Sequence, residues 1–270
     1  QAGGVRVFAA MKDPNPEVSG SGFDLLQNAG VQVESGLLEA QARELNLGFI
    51  KRMSKKRPFI RIKMAVSVDG RTAMESGESQ WITGSAARAD VQRLRARSSA
   101  IISGIGTILH DDAALTVRAS ELGLDDADEI AKRQPLRVIL DSDARIKADA
   151  KLFAQAGPIL LIVSPESDVS DELTSYSNVS VFRLVDESKG SFSGNSLDQI
   201  LIELSRLGCN EVLVEAGAVL AGSFIQEDCW DELVIYMAPK LMGSNARPMA
   251  NLPLDFMSEA KSLQLKDMRV

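Results

Sequence analysis

Between residues 57 and 118 the chain alternates apolar runs with polar turns in an order that admits few folds. Ile60, Ile62, Met64 and Val66 fall on every second position, with Arg61 and Lys63 between them, which is the period of a strand. A polar loop follows, then residues 86–96, which read as a helix with Val91 and Leu94 on its apolar side. Residues 100–103 form a second strand, which runs into a Gly-x-Gly and then an acidic pair before Arg118. Polar groups gather at the turns, where packing alone does not require them. That layout suits a site for an anionic, hydroxyl-rich molecule beside a nucleotide.

The alternation continues downstream. Residues 136–140, 159–163, 179–184, 212–214 and 232–237 read as strands, and residues 196–207 and 218–226 as helices. Residues 125–132 and 187–195 are polar and read as exposed loops or short helices. Residues 263–270 read as a last strand with Leu263 and Leu265 on one face. Strands separated by helices need crossover connections, so the expected class is α/β with a mainly parallel sheet. Upstream, residues 5–10 and 31–33 read as strands, with a helix over Phe23, Leu25, Leu26 and Ala29 and another over 39–53. Two strands and two helices bury too little core to stand alone. The expected division is therefore 1–56 and 57–270, with the basic run before Pro58 as the junction.

A net charge of −7 argues against a nucleic-acid partner, because phosphate backbones demand a basic face. It leaves room for a small anion held by arginines. No apolar run approaches the roughly 20 residues of a membrane helix, and the first residues lack a signal-peptide profile. A cytoplasmic protein without membrane contact is expected. Cys209, Cys229 and the sole histidine, His110, make no metal site without carboxylates, so no metal is expected and the thiols read as buried and reduced. No Walker loop, nucleophile elbow or Ser–His–Asp set is present.

Ligands of parallel sheets sit beyond the carboxyl ends of strands. Three such ends carry suitable groups. Val214-Glu215-Ala216-Gly217 turns from strand into helix, where free amides favour a phosphate. Ser103-Gly104-Ile105-Gly106-Thr107 is a second turn, and Leu140-Asp141-Ser142 a third. Each is also compatible with ordinary turn structure. Arg88 and Arg95, seven residues apart, share a helix face, and an arginine fork suits a phosphate, which makes Arg95 and Arg118 its candidates. Asp111, Asp112 and Glu215 are the candidate acid–base groups, and Trp81 could stack on a flat ring or pack in the core.

These residues form recognisable motifs. Lys63-Met64-Ala65-Val66-Ser67-Val68-Asp69-Gly70-Arg71-Thr72-Ala73, Gly77-Glu78-Ser79-Gln80-Trp81-Ile82-Thr83, Asp111-Asp112-Ala113-Ala114-Leu115-Thr116-Val117-Arg118, Val214-Glu215-Ala216-Gly217 and Ala238-Pro239-Lys240-Leu241-Met242-Gly243 resemble the reductase half of the bacterial bifunctional riboflavin biosynthesis proteins, a pyrimidine deaminase fused to a pyrimidine reductase. Asp13-Pro14-Asn15-Pro16, Ala29-Gly30-Val31 and Leu45-Asn46-Leu47-Gly48-Phe49 resemble the end of the deaminase half. The resemblance implies a dihydrofolate-reductase-like fold, a mixed and mainly parallel sheet flanked by helices, preceded by a remnant of a cytidine-deaminase-like domain. It implies NADPH as hydride donor and reduction of the ribose of 5-amino-6-(5-phosphoribosylamino)uracil. By the same resemblance Ser79, Arg95, Leu115, Arg118 and Glu215 would meet the substrate. Ala65, Trp81, Thr107, Asp111, Ser142 and the turn Gly217-Ala218-Val219-Leu220-Ala221-Gly222-Ser223 would meet NADPH, with Asp111 first and Glu215 second as the catalytic carboxylate. The zinc motifs of the deaminase half are not in this sequence, so no deamination and no zinc are expected of it. Ala113 stands where the family has a proline, and the family's last strand is expected to be missing. A homodimer or larger homo-oligomer is implied. The alternatives are a pterin or folate reductase of the same fold, which would need no arginines for a sugar phosphate, and a non-catalytic nucleotide-binding domain.

Overall fold

The computed structural model describes residues 5–185 and 194–270. The chain begins with β1 (Arg6–Ala9), α1 (Ser21–Asn28), β2 (Gln32–Ser35), α2 (Glu39–Leu45) and α3 (Leu47–Lys55), and β1 pairs with β2 in parallel. It continues through β3 (Phe59–Ser67), β4 (Arg71–Ala73), α4 (Ser85–Arg97), β5 (Ala100–Gly104), α5 (Ile105–Asp111), α6 (Ala119–Leu122), α7 (Ala127–Lys132), β6 (Leu136–Leu140) and β7 (Ile159–Val163). Then come α8 (Asp171–Thr174), β8 (Val179–Arg183), α9 (Gly194–Arg206), β9 (Glu211–Glu215), α10 (Ala218–Gln226), β10 (Glu232–Ala238) and β11 (Arg247–Pro248). A seven-stranded sheet runs β10-β3-β9-β5-β6-β7-β8, and every ladder in it is parallel. The antiparallel pairing among the described residues is the small β4–β11 ribbon beside it.

Period-two patterning explains the layers. Even-numbered residues of β3, β5 and β9 (Ile60, Ile62, Met64, Ala100, Ile102, Val212, Val214) form one core with α9 and α10. Odd-numbered Ile101, Ile139, Leu161 and Leu213 form the other, with Ile105 and Ile108 of α5 and Leu94 of α4. Arg61 and Lys63 therefore sit on the second face. There Arg61 is nearly buried and bridges Glu211 at 3.0 Å and Glu232 at 2.5 Å.

From β5 the chain steps outward through β6, β7 and β8. It returns through α9 to β9, between β3 and β5, and then crosses β3 to β10. The direction of winding thus reverses between β5 and β9. In a parallel sheet the carboxyl ends on either side of such a reversal open a crevice.

Three expectations change. The helix expected over 39–53 is two helices, broken at Asn46 (φ −124°, ψ 25°). The apolar spacing runs on through the break, but α3 turns to dock on the large sheet. Gly48 lies so close that an added Cβ would stand 2.6 Å from the Asn210 carbonyl oxygen, while Arg52 donates to Asn210 Oδ1 at 2.7 Å and Lys51 pairs with Asp231 at 2.6 Å. Residues 263–270 pair with no strand among the described residues and stay exposed, because alternation alone supplies no partner ladder. Residues 103–107, expected as a turn, are the end of β5 and the first residues of α5. Most of the polar stretch 187–195 lies outside the described residues. No described helix is long and apolar enough to cross a membrane.

Candidate active site

Two helices start side by side at the reversal. β5 ends at Gly104, the N-cap of α5, and β9 is followed by Gly217, the N-cap of α10. Ser103 Oγ donates to the Glu215 carbonyl at 2.6 Å and ties the two strand ends together. A Cβ added at Gly217 or Gly106 would meet nothing within 4 Å, and at Gly104 would meet Leu220 Cδ2 at 3.6 Å. The first-turn amides of α10 have no earlier turn to bond and face this open, glycine-lined space. That cradle fits the phosphates of a dinucleotide, by amide donation and the positive end of the helix dipole. The back of α10 is closed. Asn251 N–H donates to the Ala218 carbonyl at 2.9 Å, and Gly222 is pressed against the Asn251 backbone.

Beside the cradle lies a buried charge cluster. Lys63 and Glu215 are register partners on β3 and β9. Arg95 reaches them from α4, donating to Glu215 from Nε at 2.6 Å and Nη2 at 3.1 Å, and to the Thr116 carbonyl from Nη1 at 2.9 Å. Lys63 Nζ stands 3.3 Å from Glu215 Oε2. Burial pushes the Glu215 carboxyl toward protonation, but the charges and hydrogen bonds of Arg95 and Lys63 outweigh it and hold the pKa at about 2. Burial also opposes the charge on Arg95, and Glu215 more than restores it. On the same face Tyr236 donates to Asp90 Oδ2 at 2.7 Å; burial first, then that bond, push its phenol pKa upward and keep it protonated.

The rim is pinned by Asp69. It accepts from Ser67 Oγ at 2.5 Å, from Gly243 N at 2.8 Å and from Met242 N at 3.1 Å, and these bonds hold its pKa at about 2, the Ser67 contribution being the largest. Lys240 Nζ donates to the Trp81 carbonyl at 2.8 Å. Trp81 is 63% exposed, with the Arg88 guanidinium over one ring face at 4.6 Å from its centroid, so the side chain lies on the rim rather than filling core.

The remaining expected residues are distributed as follows. Ala65 is half-buried on β3 opposite Tyr236, Ser79 is half-buried in the polar loop, and Thr107 lies in the first turns of α5. Leu115 has its side chain in the core and a left-handed backbone (φ 53°), so what it offers a ligand is backbone. Ser142 is buried at the end of β6, where its carbonyl accepts from Ser167 Oγ and Ser164 N. Neighbouring Asp141 is fully buried; its Oδ2 accepts from the Ile146 amide at 2.8 Å, and its Oδ1 takes no hydrogen bond but lies 3.7 Å from Arg145 Nε. Asp111 ends α5, exposed, with no hydrogen bond or ion pair to the Lys63–Glu215–Arg95 cluster. The two arginines expected to hold a phosphate, Arg95 and Arg118, are held differently. Arg95 spends its donors inside the fold, and Arg118 pairs with Glu121 at the surface. A helix face can be read from spacing, but a carboxylate arriving from a strand 120 residues away cannot. Lys63, Tyr236 and Asp69, which the structure brings to this region, were not among the residues expected there. For Lys63 the signal was a second cation, after Arg61, on the same face of a strand whose other face is apolar.

A family model described as the RibD C-terminal domain matches residues 58–270. The riboflavin biosynthesis protein RibD of Haemophilus influenzae is 44% identical over 272 residues, a match covering 99% of this chain and 70% of that protein. Among solved structures, Acinetobacter baumannii RibD superposes with a TM-score of 0.85 at 41% identity, covering 97% of this chain and 69% of that one. A Thermotoga maritima protein titled diaminohydroxyphosphoribosylaminopyrimidine deaminase/5-amino-6-(5-phosphoribosylamino)uracil reductase superposes with a TM-score of 0.78 at 28% identity, covering 97% of this chain and 67% of that one.

Proposed function

This chain belongs to the RibD C-terminal domain family of riboflavin biosynthesis reductases, and on that premise we propose that it reduces the ribose of 5-amino-6-(5-phosphoribosylamino)uracil with NADPH. The observation that carries the proposal is the Lys63–Glu215 pair, backed by Arg95, beside the open glycine cradle of α10. In the reaction the ring oxygen–C1 bond of the ribosylamine breaks as the amine lone pair forms a C1=N imine. The nitrogen keeps its N–H, so this imine is cationic; the ring oxygen takes one proton, and hydride addition to C1 returns the lone pair to nitrogen as the ribityl chain forms. NADPH supplies the hydride. Lys63, 3.3 Å from Glu215, presents its Nζ proton to the reacting sugar. Glu215 stays ionised and fixes that ammonium in place, while Trp81 offers a face to a planar ring at the rim. Asp111 is left to electrostatic help from the end of α5.

Mixing the chain, NADPH and the uracil nucleotide should consume reduced nicotinamide, seen as falling absorbance. Dihydrofolate and the dephosphorylated nucleoside should not support turnover. Rapid oxidation with dihydrofolate, or none with the nucleotide, would reject the reading. Lys63→Met should lower kcat about 100-fold while leaving the Arg95–Glu215 bond, and so the melting temperature, nearly intact. Near-normal turnover of that variant would remove Lys63 from the chemistry. The same reading divides the chain near Arg57, which the start of the matched family model at residue 58 supports.

A further inference from the structure

We infer that Glu121 is a built-in surrogate for the substrate's phosphate: its carboxylate fills the Arg118 guanidinium in the free protein and gives way when a phosphomonoester binds. The inference rests on the reading that Arg118 meets that phosphate.

Arg118 Nε donates to Glu121 Oε1 at 2.7 Å and Nη2 to Oε2 at 2.8 Å. Two parallel bonds from one guanidinium edge are also how arginine grips a phosphate. The backbone under the pair is held from below. Arg118 N–H donates to Gln92 Oε1 at 2.9 Å, and Gln92 is buried on α4. Gln134 brackets Val117, accepting from its N–H at 2.9 Å and donating to its carbonyl at 3.0 Å. The side chains above are open, Arg118 at 45% and Glu121 at 35% exposure, so Glu121 can rotate into water without moving the chain.

The surroundings also favour an anion. Arg88 and Arg95 of α4 act on Glu121 together with Arg118. The Arg118 hydrogen bond comes first in holding its carboxyl below the ordinary range, burial opposes, and the charges of Arg118, Arg88 and Arg95 add. Glu215 neutralises Arg95. Against Arg88, Arg95 and Arg118, the two carboxylates still leave excess positive charge. A phosphate dianion matches that excess better than one carboxylate does. The surrogate keeps the guanidinium oriented while the site is empty, at the cost of competing with the ligand.

Calorimetric titration of the full chain with ribose 5-phosphate and with inorganic phosphate tests this. Glu121→Gln removes the competing charge and should tighten both ligands about two- to five-fold, the worth of an exposed ion pair. Arg118→Ala should weaken both by at least about tenfold. Unchanged or weaker binding in Glu121→Gln, with the Arg118→Ala loss intact, overturns the surrogate and spares the phosphate reading. Unchanged binding in Arg118→Ala places the phosphate elsewhere and removes both.

Discussion

Arg95→Ala should cost about 3–5 kcal/mol of stability, a fall in melting temperature on the order of 10 °C for a domain of this size. The guanidinium is buried and satisfies both Glu215 oxygens and the Thr116 carbonyl. Removing it leaves a carboxylate that is 7% exposed, with Lys63 at 3.3 Å as its remaining partner. Breaking one side of a buried pair costs far more than the intact pair contributes, because the desolvated partner is stranded. Arg95→Met combined with Glu215→Leu should therefore recover most of the lost stability, since apolar groups strand no charge and Lys63, 18% exposed, can reach water. That double variant should remain unable to reduce substrate, as it lacks the carboxylate that fixes Lys63. Thermal unfolding with turnover assays separates the two roles. A single variant that melts like wild type would show the pair contributes little.

The same pair sets an acid limb. Glu215 has a folded pKa of about 2, depressed from the ordinary value of about 4.3. Its stabilisation is complete above the unfolded value and is lost as pH falls from there through the folded value. Stability measured across that window should drop in wild type, with the Glu215 contribution absent in Glu215→Gln.

Gly222→Ala should be the most damaging single methyl in the molecule's ligand-binding half. An added Cβ would stand 2.2 Å from the Asn251 carbonyl oxygen and 3.0 Å from its N and C. Those atoms are backbone, so no side-chain rotation relieves the clash. α10 or the 251 segment must move, which breaks the bond from Asn251 N–H to Ala218. Overpacking of this kind costs about 1–3 kcal/mol. Because Ala218 opens the helix whose amides face the cradle, NADPH affinity should fall as well, read by calorimetry. Gly217→Ala is the control. Its Cβ meets nothing within 4 Å, so it should fold normally and lose affinity only through intrusion on the ligand.

The alternation of Ile60, Ile62, Met64 and Val66 was enough to place β3, and the glycine after β9 was enough to mark the start of α10. These are local properties: side-chain period and backbone freedom act over a few residues, so they survive in the linear string. The motifs around Lys63, Glu215 and Arg118 likewise carried the family. Which charge meets which was not local. The chain alone could not show that Arg95 would turn inward to Glu215, that Arg118 would take Glu121, or that one helical pattern would break at Asn46 to seat Gly48 on Asn210. Those outcomes depend on crossovers that bring β9 between β3 and β5, and on burial that makes an unpaired charge too costly to leave. Pairing of desolvated groups is a property of the packed interior, and it is determined only once distant segments share it.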